Sequence, residues 1–430
     1  MVRKKGLEPL WPCGHQLLRL ARQPVPPLPL SKHYTNPSAR GASSQRSAEL
    51  RRSIVVNIKP QGDSSYDLTS QNRMNIKQAT RRYETWMRRC TPVVEAHLRT
   101  KHARMKEDPF CFFRGTFYRW VQLWPQECPE LLRSPKVLGV GDLHIENFGT
   151  WRDGEGRLCW GVNDFDEAYT VPYTNDLVRL AASVKTAIDS EHLALRLKDA
   201  CRAILAGYTQ ALKDGGRPIV LAEHGKNLKK LGFEALKPAT DFWKKLNAFP
   251  LADTLPQDAE RAVQKSLPEP DLKCKVISRE AGMGSLGQRR FVAITDWRGG
   301  CIAREAKAMT PSAYTWSSGH VGHCQSHYQQ AIAGAVRSHD PFQEIVGSWL
   351  IRRLSPDTAR IEMTDLPKQR DEETLLHAMG SETANVHLGT KRQAKNILAD
   401  LQRQKTDWLL AAAKKMAKAM RSEWKDYKHS

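Results

Sequence analysis

No stretch of this sequence reaches the roughly 18 consecutive apolar residues that a membrane-spanning helix needs, so no span is expected. CxxC pairs are also missing. The nine cysteines are scattered singly from Cys13 to Cys324. An odd, dispersed set in a long chain argues against a disulfide framework or structural zinc and points to a reducing cytoplasm. No apolar core of about 7–15 residues follows the early Lys/Arg, so a signal peptide is not expected. The positive charge is not accompanied by a zinc-finger spacing, a helix-turn-helix pattern or an RNP-like aromatic strand. No internal repeat is visible.

What is present is an ordinary globular composition, 40% hydrophobic and 26% charged, in 430 residues, enough for two lobes with cores of their own. The net charge of +21 is unevenly spread. Residues 1–50 carry +6 and residues 391–430 carry +7, so the two terminal stretches hold 13 of the 21 excess charges. A solvated helix face explains this better than a dedicated nucleic-acid site, although such tails bind phosphate backbones nonspecifically. Residues 1–50 hold seven prolines without lasting periodicity, which predicts disorder. GLEPLWPCGHQLLRLARQPVPPLP also resembles peptides obtained by translating stable-RNA genes, which would place the real start downstream, Met74 being one candidate. Mitochondrial targeting is the second reading of this Arg-rich stretch.

Helical spacing begins near residue 74, and the aromatic block FCFFRGTFYRWVQLW is expected to pack on the core. KVLGVGD reads as a buried strand entering a loop, and LCWGVNDFDE as a strand ending in acids. DLVRLAASVKTAI reads as a helix with Asp176 as its N-cap and an apolar stripe at Leu177, Leu180, Val184 and Ile188. KVISREAGMGSLGQRRFVAITDW predicts strand, glycine turn and strand, CIAREAKA a third strand, and GSWLIRRLS another. The stretch 215–270 has no clear pattern, and LLAAAKKMAKAMRSEW predicts a basic helix.

Three segments carry chemistry. In GDLHIENFG, a carboxylate (Asp142), an imidazole (His144) and an amide (Asn147) follow a strand, with Asp142 and Asn147 at the D-x(4)-N spacing of kinase catalytic loops. Asp suits orientation of a nucleophile, and Asn offers a neutral oxygen to a hard cation. In NDFDEA, the acids Asp164, Asp166 and Glu167 crowd a strand end, and their repulsion calls for a cation. In GMGSLGQRRFV, Gly282, Gly284 and Gly287 give GxGxxG with Ser285 inside it. A strand rather than a helix follows, which favours a phosphate-covering hairpin over a dinucleotide fold.

Together, FFRG, GDLHIENFG, NDFDEA with DLVRLAAS, GMGSLGQRRFV and REA resemble the DUF2252 family over roughly residues 100–390. That family is grouped with protein-kinase-like, aminoglycoside-phosphotransferase-like folds. The resemblance implies an α+β, two-lobed fold in which the catalytic loop precedes the glycine-rich loop, the reverse of kinase order. It implies a kinase-like domain over residues 74–390. The metal half would span about 100–215, the glycine-loop half about 270–320, and a basic helix would follow at 391–430. ATP with magnesium is the implied cofactor, and a small-molecule or protein hydroxyl the acceptor. Asp142, His144 and Asn147 would be catalytic, and Asn147, Asp164 and Asp166 would hold the metal. Gly282, Gly284, Ser285, Gly287 and Arg304 would bind the nucleotide. The family usually has Lys in a KEA triplet where this chain has Arg304, with Lys307 a weaker substitute. That departure keeps a nucleotide-binding scaffold open as the alternative to a kinase. Protein nucleotidyl transfer would use the same parts, whereas a metallophosphoesterase would need further metal loops that are missing. His387, in ETANVHLGT, reads as a packed or capping histidine.

Overall fold

A computed structural model describes residues 74–191, 193–221, 223, 236, 238–319, 327–358 and 371–429, all within the unit formed by residues 65–430. The proline-rich segment expected to be disordered lies outside the described residues. In chain order the helices and strands are α1 Ile76–Cys90, α2 Glu95–Glu107, α3 Pro109–Gly115, α4 Phe117–Glu127, β1 Lys136–Gly139, β2 Phe148–Arg152, β3 Leu158–Val162 and β4 Tyr169–Pro172. Then come α5 Tyr173–Asp189, α6 Leu197–Asp214, α7 Ala239–Asn247, α8 Gln257–Ser266, β5 Lys275–Ser278, β6 Arg290–Trp297, β7 Gly300–Ala308, α9 Ala313–Ser317 and α10 Tyr328–Gly334. The last are β8 Glu344–Val346, β9 Trp349–Leu354, α11 Asp371–His387, α12 Gln393–Arg403 and α13 Trp408–Lys428. The fold is α+β, as expected.

Local chemistry sets the main boundaries. Asn75 and Gln78 close a capping box that starts α1. Asp108 accepts from the Phe110 and Cys111 amides, with Pro109 at the first helical position, so α3 begins there. The aromatic block forms α3 and α4, and Phe112, Phe113, Phe117 and Trp120 are buried in the main core. Of the expected stripe on α5, Leu177, Leu180 and Val184 are fully buried and Ile188 packs against the core edge.

Sequence reading missed three strands, β2, β4 and β8. β2 pairs with β3 as an antiparallel hairpin, and β1 pairs with β4. All four are too short for a two-residue alternation to show. The other sheet has five antiparallel strands in the order β5-β6-β7-β9-β8. One of its faces (Phe291, Ala293, Ala306, Trp349, Ile351) packs on α8, and the other (Ile277, Val292, Ile294, Ala303, Leu354) packs on α7. These two helices come from the stretch that had shown no pattern. The segment 391–430 holds two helices rather than one. α13 buries Leu409, Ala413, Met416 and Met420 while Lys414, Lys415, Lys418 and Arg421 stay exposed. No helix among the described residues is long and apolar enough to cross a membrane.

Candidate functional site

β1 delivers its chain to Val140 and Gly141, where the backbone turns with a left-handed φ of +81° at Gly141. A Cβ there would strike the Glu167 carbonyl, so only glycine fits. The turn is held by Asp176, whose Oδ2 accepts from Val140 N at 2.6 Å and whose Oδ1 accepts from Gly141 N at 3.0 Å. This corrects the N-cap reading: the N-cap of α5 is Pro172, four residues earlier, and Asp176 serves a different segment. His387 at the end of α11 bonds Asp176 through Nε2 at 3.0 Å and Tyr208 through Nδ1 at 2.8 Å. His387 is therefore packed, as the sequence suggested, but packed against the carboxylate that anchors the loop.

Asp142 follows. Its Oδ1 accepts from Arg179 Nε at 3.0 Å and Nη2 at 2.7 Å, which leaves Oδ2 toward the glycine turn. Arg179 is fully buried, donates from Nη2 to the Phe113 carbonyl, and lies 3.7 Å over the Phe113 ring. Burial raises the Asp142 carboxyl above its ordinary range, and Arg179 opposes that rise. His144 Nδ1 accepts from the Glu146 amide. Asn147 donates from Nδ2 to the carbonyls of Asp142 at 3.2 Å and Asp164 at 3.0 Å, tying the two acidic loops together and leaving Oδ1 as its acceptor.

The strand end after β3 meets the five-stranded sheet at Lys307. Its Nζ donates to Asp164 Oδ2 at 3.2 Å and also to Asp166 Oδ2, and the side chain is 0% exposed. Burial alone would raise Asp164, but Lys307 beside it holds the carboxyl well below the usual range. Burial and the neighbouring Asp164 push Asp166 up to about 6. Asp166 Oδ1 is buried without a hydrogen-bond partner. Glu167, which the sequence reading did not assign, accepts from Ser312 Oγ and the Ala313 amide, and burial pushes it up to about 8.

One cleft of about 700 Å³, counted with its open mouth, collects these groups. Asp142, His144, Asn147, Asp164, Asp166, Gly282, Gly284 and Ser285 all line it. Two predicted residues do not. Gly287 has φ +104° and a Cβ there would come 2.6 Å from Leu98, so this glycine seats the turn on α2. Arg304 donates to the carbonyls of Ser266 and Ala303 and lies 4.2 Å over Phe342, away from the cleft. In a strand, residues three apart face opposite sides. Lys307 thus shares the Asp164 side with Glu305, which binds Arg279, Arg290 and Arg352, while Arg304 faces the α8 side. The cation that meets the acidic strand end is Lys307, not Arg304. Lys101, Tyr83 and Tyr118 also line the cleft and carried no sequence signal beyond helical spacing, while Arg114, which lines it too, lies in the FFRG motif but had been given no role.

The loop and the strand end lie inside a matched family segment. Residues 88–241 match DUF2252, described as an uncharacterized protein conserved in bacteria. The DUF2252 match holds the GDLHIENFG and NDFDEA motifs with DLVRLAAS, and ends before the glycine turn and Lys307. No curated protein and no solved structure matches the chain.

Proposed function

We propose that the chain is an ATP- and magnesium-dependent phosphotransferase with a two-lobed, kinase-like arrangement whose catalytic loop precedes its glycine turn. The observation that carries this reading is the meeting of Asp142, Asn147, Asp164 and the Gly282–Ser285 turn in one cleft, with Lys307 bridging Asp164 and Asp166. The five-stranded sheet with its turn would be the phosphate-covering lobe, and the helical body with β1–β4 the catalytic one.

The donor set suits a hard cation. Among the described residues no group of three or more His, Cys, Asp or Glu is placed to hold a metal, so a site built from protein side chains alone is not the expectation. Magnesium is ordinarily held by one or two carboxylates together with substrate phosphates. Asp164, Asp166 with its orphaned Oδ1, and Asn147 Oδ1 are the oxygens that would hold it. When bound it supplies neutralisation of phosphate charge. The remaining work falls to the chain's own groups. Asp142 Oδ2 receives the proton of the acceptor hydroxyl as the new O–P bond forms and the terminal phosphoanhydride bond breaks, releasing ADP. Arg179 fixes Oδ1 so that Oδ2 faces the reaction. The glycine turn covers the phosphates, and Lys307 balances the charge at the acidic strand end.

A scaffold that binds nucleotide without turnover drew its support from Arg304. Lys307 at the acids favours the phosphotransferase reading over it. Nucleotidyl transfer onto a protein uses the same cleft and differs in product, AMP attached to protein rather than a phosphate ester. A thermal-shift titration with ATP and magnesium on wild type and Asp164→Ala tests the proposal. Stabilisation of wild type that Asp164→Ala loses is expected, and an unmoved wild-type transition would sink it. Mass spectrometry of the modified acceptor then separates phosphate from AMP.

A further inference from the structure

The phosphotransfer reading leaves one buried cation of the cleft without a task. Lys101 on α2 is 5% exposed and lines the cleft. Its Nζ donates to the Gly284 carbonyl at 3.1 Å, and no carboxylate of a described residue lies within 4.0 Å. The other cations that meet the cleft's acids are all paired: Arg179 with Asp142, Arg114 with Glu146, and Lys307 with Asp164 and Asp166. An ammonium has three donors, and a buried one without a counter-ion is costly. Burial pushes Lys101 below the usual lysine range, with Glu84, Glu167 and Asp142 opposing from farther away.

The surroundings show where the missing anion would sit. A Cβ built on Gly284 would lie 3.8 Å from Asp142 Oδ2 and 3.6 Å from the Arg114 backbone carbonyl, so Lys101 Nζ and the Asp142 carboxylate meet at one glycine beside the Arg114 backbone. Arg114 also lines the cleft, and its Nε is buried without a hydrogen-bond partner. Gly115 confines the lysine stem, since a Cβ there would come 3.3 Å from Lys101 Cε.

We propose that Lys101, with Arg114, forms an anion subsite that takes a phosphate or carboxylate group of the molecule bound beside Asp142. The proposal rests on the cleft being the functional site, though not on turnover. The anion belongs either to the nucleotide or to the acceptor.

The test uses the full chain and calorimetric titration with inorganic phosphate, acetate, and ATP plus magnesium, on wild type, Lys101→Met and Lys101→Arg. Lys101→Met is expected to bind phosphate about tenfold more weakly, the loss of one hydrogen bond to a charged group. It should also melt at or above the wild-type temperature, because an uncompensated buried charge is removed. A purely structural lysine would instead lower the melting temperature and leave anion affinity alone. A parallel tenfold loss for ATP assigns the anion to the nucleotide, and ATP affinity unchanged beside weakened phosphate or acetate binding assigns it to the acceptor. Equal anion binding by wild type and Lys101→Met, or no anion binding by wild type, overturns the subsite while leaving ATP-dependent stabilisation free to stand. Phosphate binding without any ATP response removes the phosphotransferase reading and keeps the subsite. If Lys101→Met does not fold, Lys101→Gln takes its place and an unchanged phosphate affinity in that variant overturns the proposal, while Lys101→Arg, which keeps the charge, is expected to retain binding.

Discussion

Asp142 and Arg179 form a pair in which one member has been taken wholly out of water, so the arginine cannot be removed quietly. Arg179→Met removes the guanidinium that packs over Phe113 and Trp120, leaves the Asp142 carboxylate without its partner, and is expected to lower stability by about 3 kcal/mol, measured by urea unfolding. Adding Asp142→Asn should return much of that stability without restoring phosphoryl transfer, which separates folding from chemistry. A second comparison concerns the two cations of β7. Lys307→Met is expected to abolish ATP-induced thermal stabilisation, whereas Arg304→Lys leaves it within error of wild type. The reverse result would return the phosphate-pairing role to Arg304. Asp142, Asn147 and Asp164 were legible because loop spacing alone brings them to strand ends. Lys307 was not, because the choice between it and Arg304 depends on which face of β7 meets the acids. Asp176 misled for a similar reason: a carboxylate at a helix start looks like a cap until the strand it serves is placed.

The hairpin and the glycine turn show how single elements carry position. Asp153 closes the β2–β3 hairpin, accepting from the amides of Glu155 and Arg157, from Arg157 Nε and from Ser338 Oγ. Burial works against its ionisation, but the hydrogen bonds from Ser338 and Arg157 prevail and hold it at about 2. A carboxyl depressed on folding stabilises above its unfolded value, near pH 4, and loses that contribution as pH falls through about 2. The stability gap between wild type and Asp153→Asn should therefore be about 2 kcal/mol at pH 6 and shrink steadily below pH 4 in urea titrations. In the glycine turn, Gly287→Ala forces a left-handed residue against Leu98 and should cost about 2 kcal/mol. ATP affinity should fall with it, since the displaced turn carries Gly284 and Ser285. The sequence pattern announced this turn by its three glycines. It did not show that the third serves packing while the first two meet the cleft, because a glycine's use depends on what lies where its Cβ would be.

Across the whole molecule, the site draws on residues far apart in the chain. α13 lies on α5, the helix that presents Asp176 and Arg179, and buries an apolar face there while its lysines point outward. Removal of residues 405–430 is expected to leave α5 uncovered and to yield protein with an exposed core, read as dye binding and loss of a cooperative melt. The basic residues at this end lie on the exposed face of a helix whose other face is buried, a split that composition could not show. Hydropathy periodicity found most helices, but it carries no information on which of them cover one another.

The bond from His387 to Asp176 has a consequence for how the protein comes into being. The GDLHIENFG turn is anchored by a carboxylate that is itself held by a side chain 211 positions later. A nascent chain on the ribosome can display the whole motif, and even its matched family segment, long before the residue that steadies it has been translated. A chain that stops before His387 is thus expected to display the motif with its anchoring carboxylate unheld, read as loss of ATP-induced thermal stabilisation.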